Sequence, residues 1–247
     1  MKTTGMTTIE PDWPVDSKIV KAYTTTRLGG VSQGAYSGLN LGGHVGDPDY
    51  QQNRQLLKRQ LALPNEPCWL EQTHSTQCVR LESDLTRHNV DAAYTATKGT
   101  VAVVMTADCL PVLVYDEQSQ QVAAIHAGWR GLADGIIEKT LQTMQAKPES
   151  TYIWLGPAIS QLHFEVGDEV KLYFCKHNND AAKAFIPSTT PNHWMADLYF
   201  LAKQRCQHLG FSHIYGGGFC TYSAPERFYS YRRDGQTGRM ASLIWLE

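Results

Sequence analysis

Net charge is what this sequence has least of: 22 lysines and arginines against 24 aspartates and glutamates leave −2, with an isoelectric point near 6.5. No broad positive field draws nucleic acid phosphates or an anionic membrane, so neither is an expected partner, although a local basic site stays possible. Long hydrophobic runs are missing too. No apolar stretch reaches membrane-spanning length, and the start, MKTTGMTTIEPDW, has one lysine but no apolar core of signal-peptide type. The six cysteines (Cys68, Cys78, Cys109, Cys175, Cys206, Cys220) contain no C-x-x-C and are spread through a long chain, unlike a disulfide-stapled secreted domain. These absences place the protein in the cytoplasm with its thiols reduced. There is no repeat, low-complexity tract or linker-like shift in composition, so the chain reads as one domain, 1–247, with 1–19 as an N-terminal lead-in. Two catalytic signatures are also lacking, H-E-x-x-H of zinc peptidases and H-x-E joined to P-C-x-x-C of nucleobase deaminases.

What is present is an ordinary globular balance, 42% hydrophobic and 19% charged, able to bury a sizeable core. Short β-rich runs alternate with a few amphipathic stretches. That order predicts an α+β fold with α/β-like layers, its mixed β-sheets flanked by helices. Residues 20–26 read as a first strand, followed by RLGGVSQGAYSGLNLGGHVGD, whose seven glycines imply tight turns and close backbone approach. A loop that long is not idle spacer. Asp47-Pro48 resembles an N-cap with proline at the first helical position, opening a helix with Leu56, Leu57 and Leu61 on its apolar face. Residues 101–107 form a buried-strand run broken at Asp108-Cys109 and resumed at 112–116. QVAAIHAGWRG is β-like up to His126, and the next stretch places Leu132, Ile136, Ile137, Leu141 and Met144 at helical spacing. TYIWLGPAIS reads as a strand stopped by Gly156-Pro157, ADLYFLAKQRCQHLG as a helix with Gly210 as its C-terminal cap, and the last stretch as a hairpin about Asp234-Gly235.

Cys109 therefore stands at a strand break and His126 at a strand-to-helix crossover, where open sheets place their ligands. If the flanking strands pair as a hairpin across EQSQQ, the two lie near opposite outer ends of that pair. They are then neighbours only where the chain folds the Cys109 break back over the His126 turn. Position singles out these two. The other histidines read as surface or satisfied core residues, and the remaining cysteines as structural, with Cys206 in a helical pattern and Cys220 in a β-like run.

A further set of segments, LEQTHSTQCVR, MTADCLPVLVYD, IHAGWRGLADGI, WLGPAIS with FEVGDEV, and FYSYRRDGQTGRMASLIWL, resembles one family in the same order. This is the bacterial laccase-domain (YfiH-like) family, formerly labelled polyphenol oxidases and later described as purine nucleoside phosphorylases with adenosine deaminase and methylthioadenosine phosphorylase activity. The resemblance runs from TTTRLGGVS at 24–32 to the C-terminus. It implies a fold of the cytotoxic-necrotising-factor/YfiH type and a catalytic metal held by His74, Cys109 and His126. A thiolate and two imidazoles suit Zn2+ with an open fourth position, with Cu2+ the alternative. His74 is supplied by the resemblance alone. Where the family commonly has Q-V-H-G, this chain has Gln72-Thr73-His74-Ser75, which keeps the ligand. The implied reaction is phosphorolysis of adenosine, inosine and methylthioadenosine, with deamination of adenosine. The rival readings are a Cys109–His126 cysteine hydrolase in peptidoglycan precursor editing, a copper polyphenol oxidase, and a non-enzymatic metal-binding module. A trinuclear copper cluster needs repeated His-x-His pairs, and no two of the nine histidines stand two residues apart.

The implied partners are a purine nucleoside and phosphate, for a monomer or small homo-oligomer. Arg130, with the backbone N–H groups around Gly131, is the first candidate to receive phosphate; it equally suits capping local carbonyls or pairing with Asp134. Arg27 in the glycine-rich loop and Arg233 in the last β segment are further candidates. Asn40 and His44 either line the pocket or build turns. Asp108 either orients a ligand imidazole or caps the strand break. Trp129 and Phe219 either stack on a purine or fill the core.

Overall fold

The computed structural model describes residues 5–82 and 88–247. In chain order the elements are β1 (Thr8–Ile9), β2 (Val20–Thr25), α1 (Tyr50–Gln60), β3 (Cys78–Arg80), β4 (Ala92–Thr95), β5 (Ala102–Thr106), β6 (Leu110–Asp116) and β7 (Gln121–Ala127). There follow α2 (Trp129–Ala133), α3 (Ile136–Thr143), β8 (Thr151–Leu155), β9 (Glu165–Gly167), α4 (Asp168–His177), β10 (Phe185–Pro187), β11 (His193–Ala196), α5 (Leu198–His208), β12 (Ile214–Gly216), α6 (Tyr231–Asp234) and β13 (Met240–Leu246). The fold is α+β with mixed sheets and flanking helices, as the alternation of runs predicts. No helix among the described residues is long and apolar enough to cross a membrane.

A mixed six-stranded sheet, β12-β8-β6-β7-β4-β3, packs against an antiparallel four-stranded sheet, β1-β2-β13-β5, and a three-stranded sheet, β10-β11-β9, joins α4 in the cluster on the helix side of the large sheet. The continuous apolar runs are explained by two-sided burial. On β6, Val112 and Val114 face the cluster that includes α3 and α5, while Leu113 and Tyr115 face the other sheet. On β7, Ile125 and Ala123 take the helix side, and Ala124 and Val122 the sheet side. On β13, Ile244 and Leu246 point inward, while Leu243 and Trp245 meet Leu39, Leu41 and Leu57 in an outer cluster. Each large side chain buried in this way contributes about 1.5–3 kcal/mol, so the β6–β7 pair is the best-anchored part of the fold.

The structure corrects four expectations. The β6–β7 hairpin forms across 117–121, but its antiparallel register pairs Leu110 with Ala127 and Pro111 with His126. The start of β6 and the end of β7 therefore share one end of the hairpin, and no fold-back is needed to bring Cys109 to His126. The helix after His126 is two helices, because Gly135 at φ 90° breaks the pattern in the left-handed region that a side chain disfavours. The expected closing hairpin is absent: 231–234 make the short helix α6, and β13 instead pairs with β2 and β5. Asp47 does not cap α1, whose N-cap is Asp49.

Asp47 belongs instead to the network that orders the glycine-rich loop. Its carboxylate accepts from Ser32 Oγ at 2.5 Å, from Asn40 Nδ2 at 2.7 Å and from the Asp49 amide at 3.0 Å. Asn53 on α1 completes it, donating to Ser32 Oγ and to the Gly38 and Asn40 carbonyls and accepting from the Val31 amide. Both Asn40 and Asn53 are fully buried, so any bond they lose leaves a desolvated partner. Asn53→Ala is expected to destabilise the protein by about 3 kcal/mol in urea unfolding; a loss below about 1 kcal/mol would show that the loop is held by something else.

Candidate metal centre

The hairpin register delivers two of three side chains to one point. Cys109 immediately precedes β6, and His126, opposite Pro111, is the last residue but one of β7. His74 arrives from the loop before β3. That loop is fastened to β5 by Gln72, whose amide side chain donates to the Met105 carbonyl at 2.8 Å and accepts from the Met105 amide at 2.7 Å.

Behind both imidazoles lies Asp91, which sequence reading missed. It is fully buried, next to the β4 residue that pairs with Ile125. Its carboxylate accepts from His126 Nδ1 at 2.7 Å, the His74 amide at 3.0 Å, the Ser75 amide at 2.6 Å, Ser75 Oγ at 2.7 Å and the Thr73 amide at 3.2 Å. This holds His74 in its left-handed backbone conformation, φ 63°, and leaves Nε2 as the free nitrogen of His126. The one available signal was an aspartate inside the apolar run Val90–Ala93. Asp108 does not take this role. Its carboxylate accepts from Thr221 Oγ1 at 2.6 Å, Ser230 Oγ at 3.0 Å and the Arg232 amide at 2.7 Å, tying the strand break to the C-terminal segment.

The ligand atoms of His74, Cys109 and His126 lie within 4.8 Å of one another, the one such group of three His, Cys, Asp or Glu among the described residues. Cys109 Sγ stands 3.7 Å from His74 Nε2. Tetrahedral bonds of about 2.3 Å to sulfur and 2.1 Å to nitrogen put two ligands about 3.6 Å apart, so the separation suits a tetrahedral metal ion. Gly128 keeps the space open: a Cβ there would lie 2.4 Å from His74 Cδ2 and 3.3 Å from Cys109 Sγ. The electrostatics favour the ligand form of the thiol. Burial alone would push the Cys109 thiol up, but the charge of His126 and hydrogen bonds from both imidazoles bring it down to about 6. Burial would lower His126, yet the Cys109 charge and the Asp91 carboxylate raise it to about 9. Asp91, against the effect of its burial, is held at about 2, chiefly by the His126 hydrogen bond.

The three side chains line a cavity of roughly 960 Å³. Of the other predicted contact residues, His44, Arg130 and Trp129 line it, whereas Arg27, Asn40, Arg233 and Phe219 do not. Arg130 is exposed, its guanidinium 4.3 Å from the Trp129 ring centroid and without a side-chain bond to Asp134, whose carboxylate accepts from Tyr173 Oη instead. Arg27 donates to the Pro225 and Ser37 carbonyls and stacks on Tyr229. Arg233 is wholly engaged by Asp234 and the carbonyls of Thr221, Tyr222 and Phe228. Phe219 packs on Phe228. Two arginines that sequence reading passed over, Arg232 and Arg239, complete the lining, with Phe164, Glu165, Glu169 and His193 on the wall built by β9, α4 and β11.

Fold and site together define an α+β protein with a candidate three-ligand metal site on the wall of an open cavity. The chain belongs to the family described as "Multi-copper polyphenol oxidoreductase laccase", which it matches over residues 21–247. It is 47% identical over 245 residues to a Haemophilus influenzae protein named purine nucleoside phosphorylase, covering 98% of this chain and 100% of that one. An Escherichia coli protein named purine nucleoside phosphorylase YfiH is 47% identical over 241 residues, covering 96% and 98%. A crystal structure of a Neisseria meningitidis protein of the DUF152 family superposes with a TM-score of 0.91 at 46% identity over 97% of this chain and 99% of that one. Bacillus licheniformis YfiH superposes at 0.85 with 28% identity, over 92% and 93%.

In metal-free protein, alkylation of Cys109 by iodoacetamide is expected to rise with pH through a midpoint near 6, because the thiolate that reacts exists above its pKa. Asp91→Asn removes the carboxylate that keeps His126 cationic, so the midpoint moves up; an unmoved midpoint would disconnect Asp91 from the pair. Gly128→Ala is expected to weaken metal binding at least about 10-fold in competition with a chelator, while the fold persists by circular dichroism.

Proposed function

We propose that the protein is a zinc-dependent purine nucleoside phosphorylase acting on adenosine, inosine and methylthioadenosine, with adenosine deamination as a second activity of the same centre. The observation that carries this reading is one cavity lined by the His74–Cys109–His126 group, three arginines and the ring of Trp129. A cavity of this size falls in the range of about 300–1,000 Å³ typical of small-molecule sites. Relatives named purine nucleoside phosphorylase at 47% identity support the same conclusion.

His74, Cys109 and His126 would hold the metal. When bound, zinc supplies a Lewis acid beside the substrate. An arginine of the cavity wall binds the phosphate dianion and sets it against the ribose. Its oxygen forms the bond to the anomeric carbon as the carbon–nitrogen bond to the base breaks; the base departs with that electron pair and takes up the proton that the hydrogen phosphate gives up. The products are free base and ribose 1-phosphate, or methylthioribose 1-phosphate. Trp129 and His44, which line the cavity, contact the nucleoside.

A second reading has its own support: Cys109, His126 and Asp91 stand in the order of a nucleophile, base and orienting carboxylate, with the thiol already low. That constellation suits a hydrolase that removes an amino acid from a peptidoglycan precursor. The two readings separate on one preparation. Phosphorolysis predicts about one zinc per chain, phosphate-dependent release of base from nucleosides, and loss of both metal and turnover in Cys109→Ala. Amide hydrolysis that persists after zinc removal and stops on Cys109 alkylation would favour the hydrolase instead.

A further inference from the structure

The phosphorolysis reading leaves open which cavity arginine takes the phosphate, and burial combined with an unsatisfied guanidinium edge decides it. Arg130 and Arg232 are both exposed, so an anion on either is largely screened by water. Arg239 is different. It sits just before β13, partly buried in the cavity wall, and desolvation is the main influence lowering its pKa. Its Nη1 donates to the Thr237 carbonyl at 2.9 Å and the Gly238 carbonyl at 3.0 Å. Among the described residues no acceptor meets its Nε or Nη2, and no carboxylate lies within ion-pair distance. Those two nitrogens form the edge that grips a carboxylate or phosphate with two parallel hydrogen bonds. The nearby Asp108 carboxylate is already used by Thr221, Ser230 and the Arg232 amide.

The glycine-rich loop accounts for this placement. Asn40 Oδ1 accepts from the Arg239 amide at 2.8 Å, and the Leu41 amide donates to the Arg239 carbonyl at 3.1 Å. Gly42 yields the room its side chain needs, since a Cβ there would lie 2.7 Å from Arg239 Cγ. His44, from the same loop, faces the cavity, and its pKa is lowered by burial first and then by the charges of Arg239 and Arg54. A loop that fixes an arginine by both backbone groups, beside a neutral imidazole and with a second half-buried guanidinium, Arg54, near by, presents a corner suited to an anion.

We infer that Arg239 is the phosphate-binding residue of the cavity: its free Nε–Nη2 edge holds the phosphate that attacks the ribose, and Asn40 and the glycine-rich loop position it there. Asn40 is thus a positioning residue. This assignment rests on the phosphorolysis reading for its catalytic meaning, but the anion site is measurable without turnover.

The test uses zinc-loaded protein and inorganic phosphate, titrated by calorimetry, with turnover of inosine measured in parallel. Arg239→Gln is expected to weaken phosphate binding by roughly 10- to 100-fold, the worth of a charge-assisted bidentate contact, and to raise the phosphate KM alike while the nucleoside KM moves little. Arg239→Lys recovers part of the affinity. Because a variant at Arg239 can disturb the loop, phosphate is also expected to protect Arg239 of the unaltered protein from phenylglyoxal, read by peptide mass spectrometry. Phosphate binding unchanged in Arg239→Gln, abolished instead in Arg130→Gln, or absent from the unaltered protein overturns the assignment. Turnover with an unmoved phosphate KM retains the phosphorylase and removes Arg239. Arg239-dependent phosphate binding without nucleoside cleavage retains the anion site and removes the phosphorylase.

Discussion

The buried Asp91 carboxylate accepts hydrogen bonds from the His126 ring and from three successive backbone amides of the 73–75 loop, and the metal site depends on that convergence. A carboxylate out of water is costly unless its lone pairs are filled, and here five donors fill them. The consequence is mutual: the loop is ordered because the charge needs it, and the charge is tolerated because the loop is there. His74 belongs to no strand or helix, yet it is held as firmly as His126, which is anchored in β7.

Charge balance at the centre follows from the same residue. Asp91 keeps His126 cationic, and a cationic His126 keeps Cys109 anionic, so the metal-free chain stores alternating charges in a row. A metal ion entering meets a thiolate already formed and has only to displace the His126 proton from Nε2. The row also explains why two chemistries compete for this site on paper. The groups that make a good zinc ligand set without metal make an activated thiol.

The fold class, the strands β2 and β5 to β8, and helix α5 were legible because their residues obey a period or a two-sided burial rule. Cys109 and His126 were legible by position, at a break and a crossover, although the reasoning that separated them misjudged which ends of an antiparallel hairpin meet. His74 sits in a loop and carries no periodic signal, so it came only through the resemblance of whole segments. Asp91 left only the faint signal of an aspartate inside an apolar run, and Arg239 left none. One looks like any strand-end aspartate, and the importance of the other arises from what its guanidinium fails to touch, a property of the tertiary structure alone. Arg27 and Arg233 mislead for the complementary reason: an arginine near a glycine-rich loop or a terminal strand resembles an anion ligand until its carbonyl partners are known.

The family description, multi-copper oxidoreductase, sits uneasily with this arrangement of donors. Coupled oxidation by several coppers needs donors grouped for more than one ion, and the described residues group once, around two imidazoles and a thiolate. A single copper in such a set would carry electrons one at a time and would want a weak axial donor such as a methionine sulfur. Met105 lines the cavity, but its sulfur receives the Arg54 guanidinium at 3.7 Å. The other side chains that converge on the cavity include three arginines and the rings of Trp129, Phe164 and Tyr231, with Glu165 and Glu169 beside them; the guanidinium groups and rings are of little use to electron transfer and of direct use to an anion and a flat heterocycle. It is this neighbourhood, more than the three ligands themselves, that supports the proposed phosphate and nucleoside.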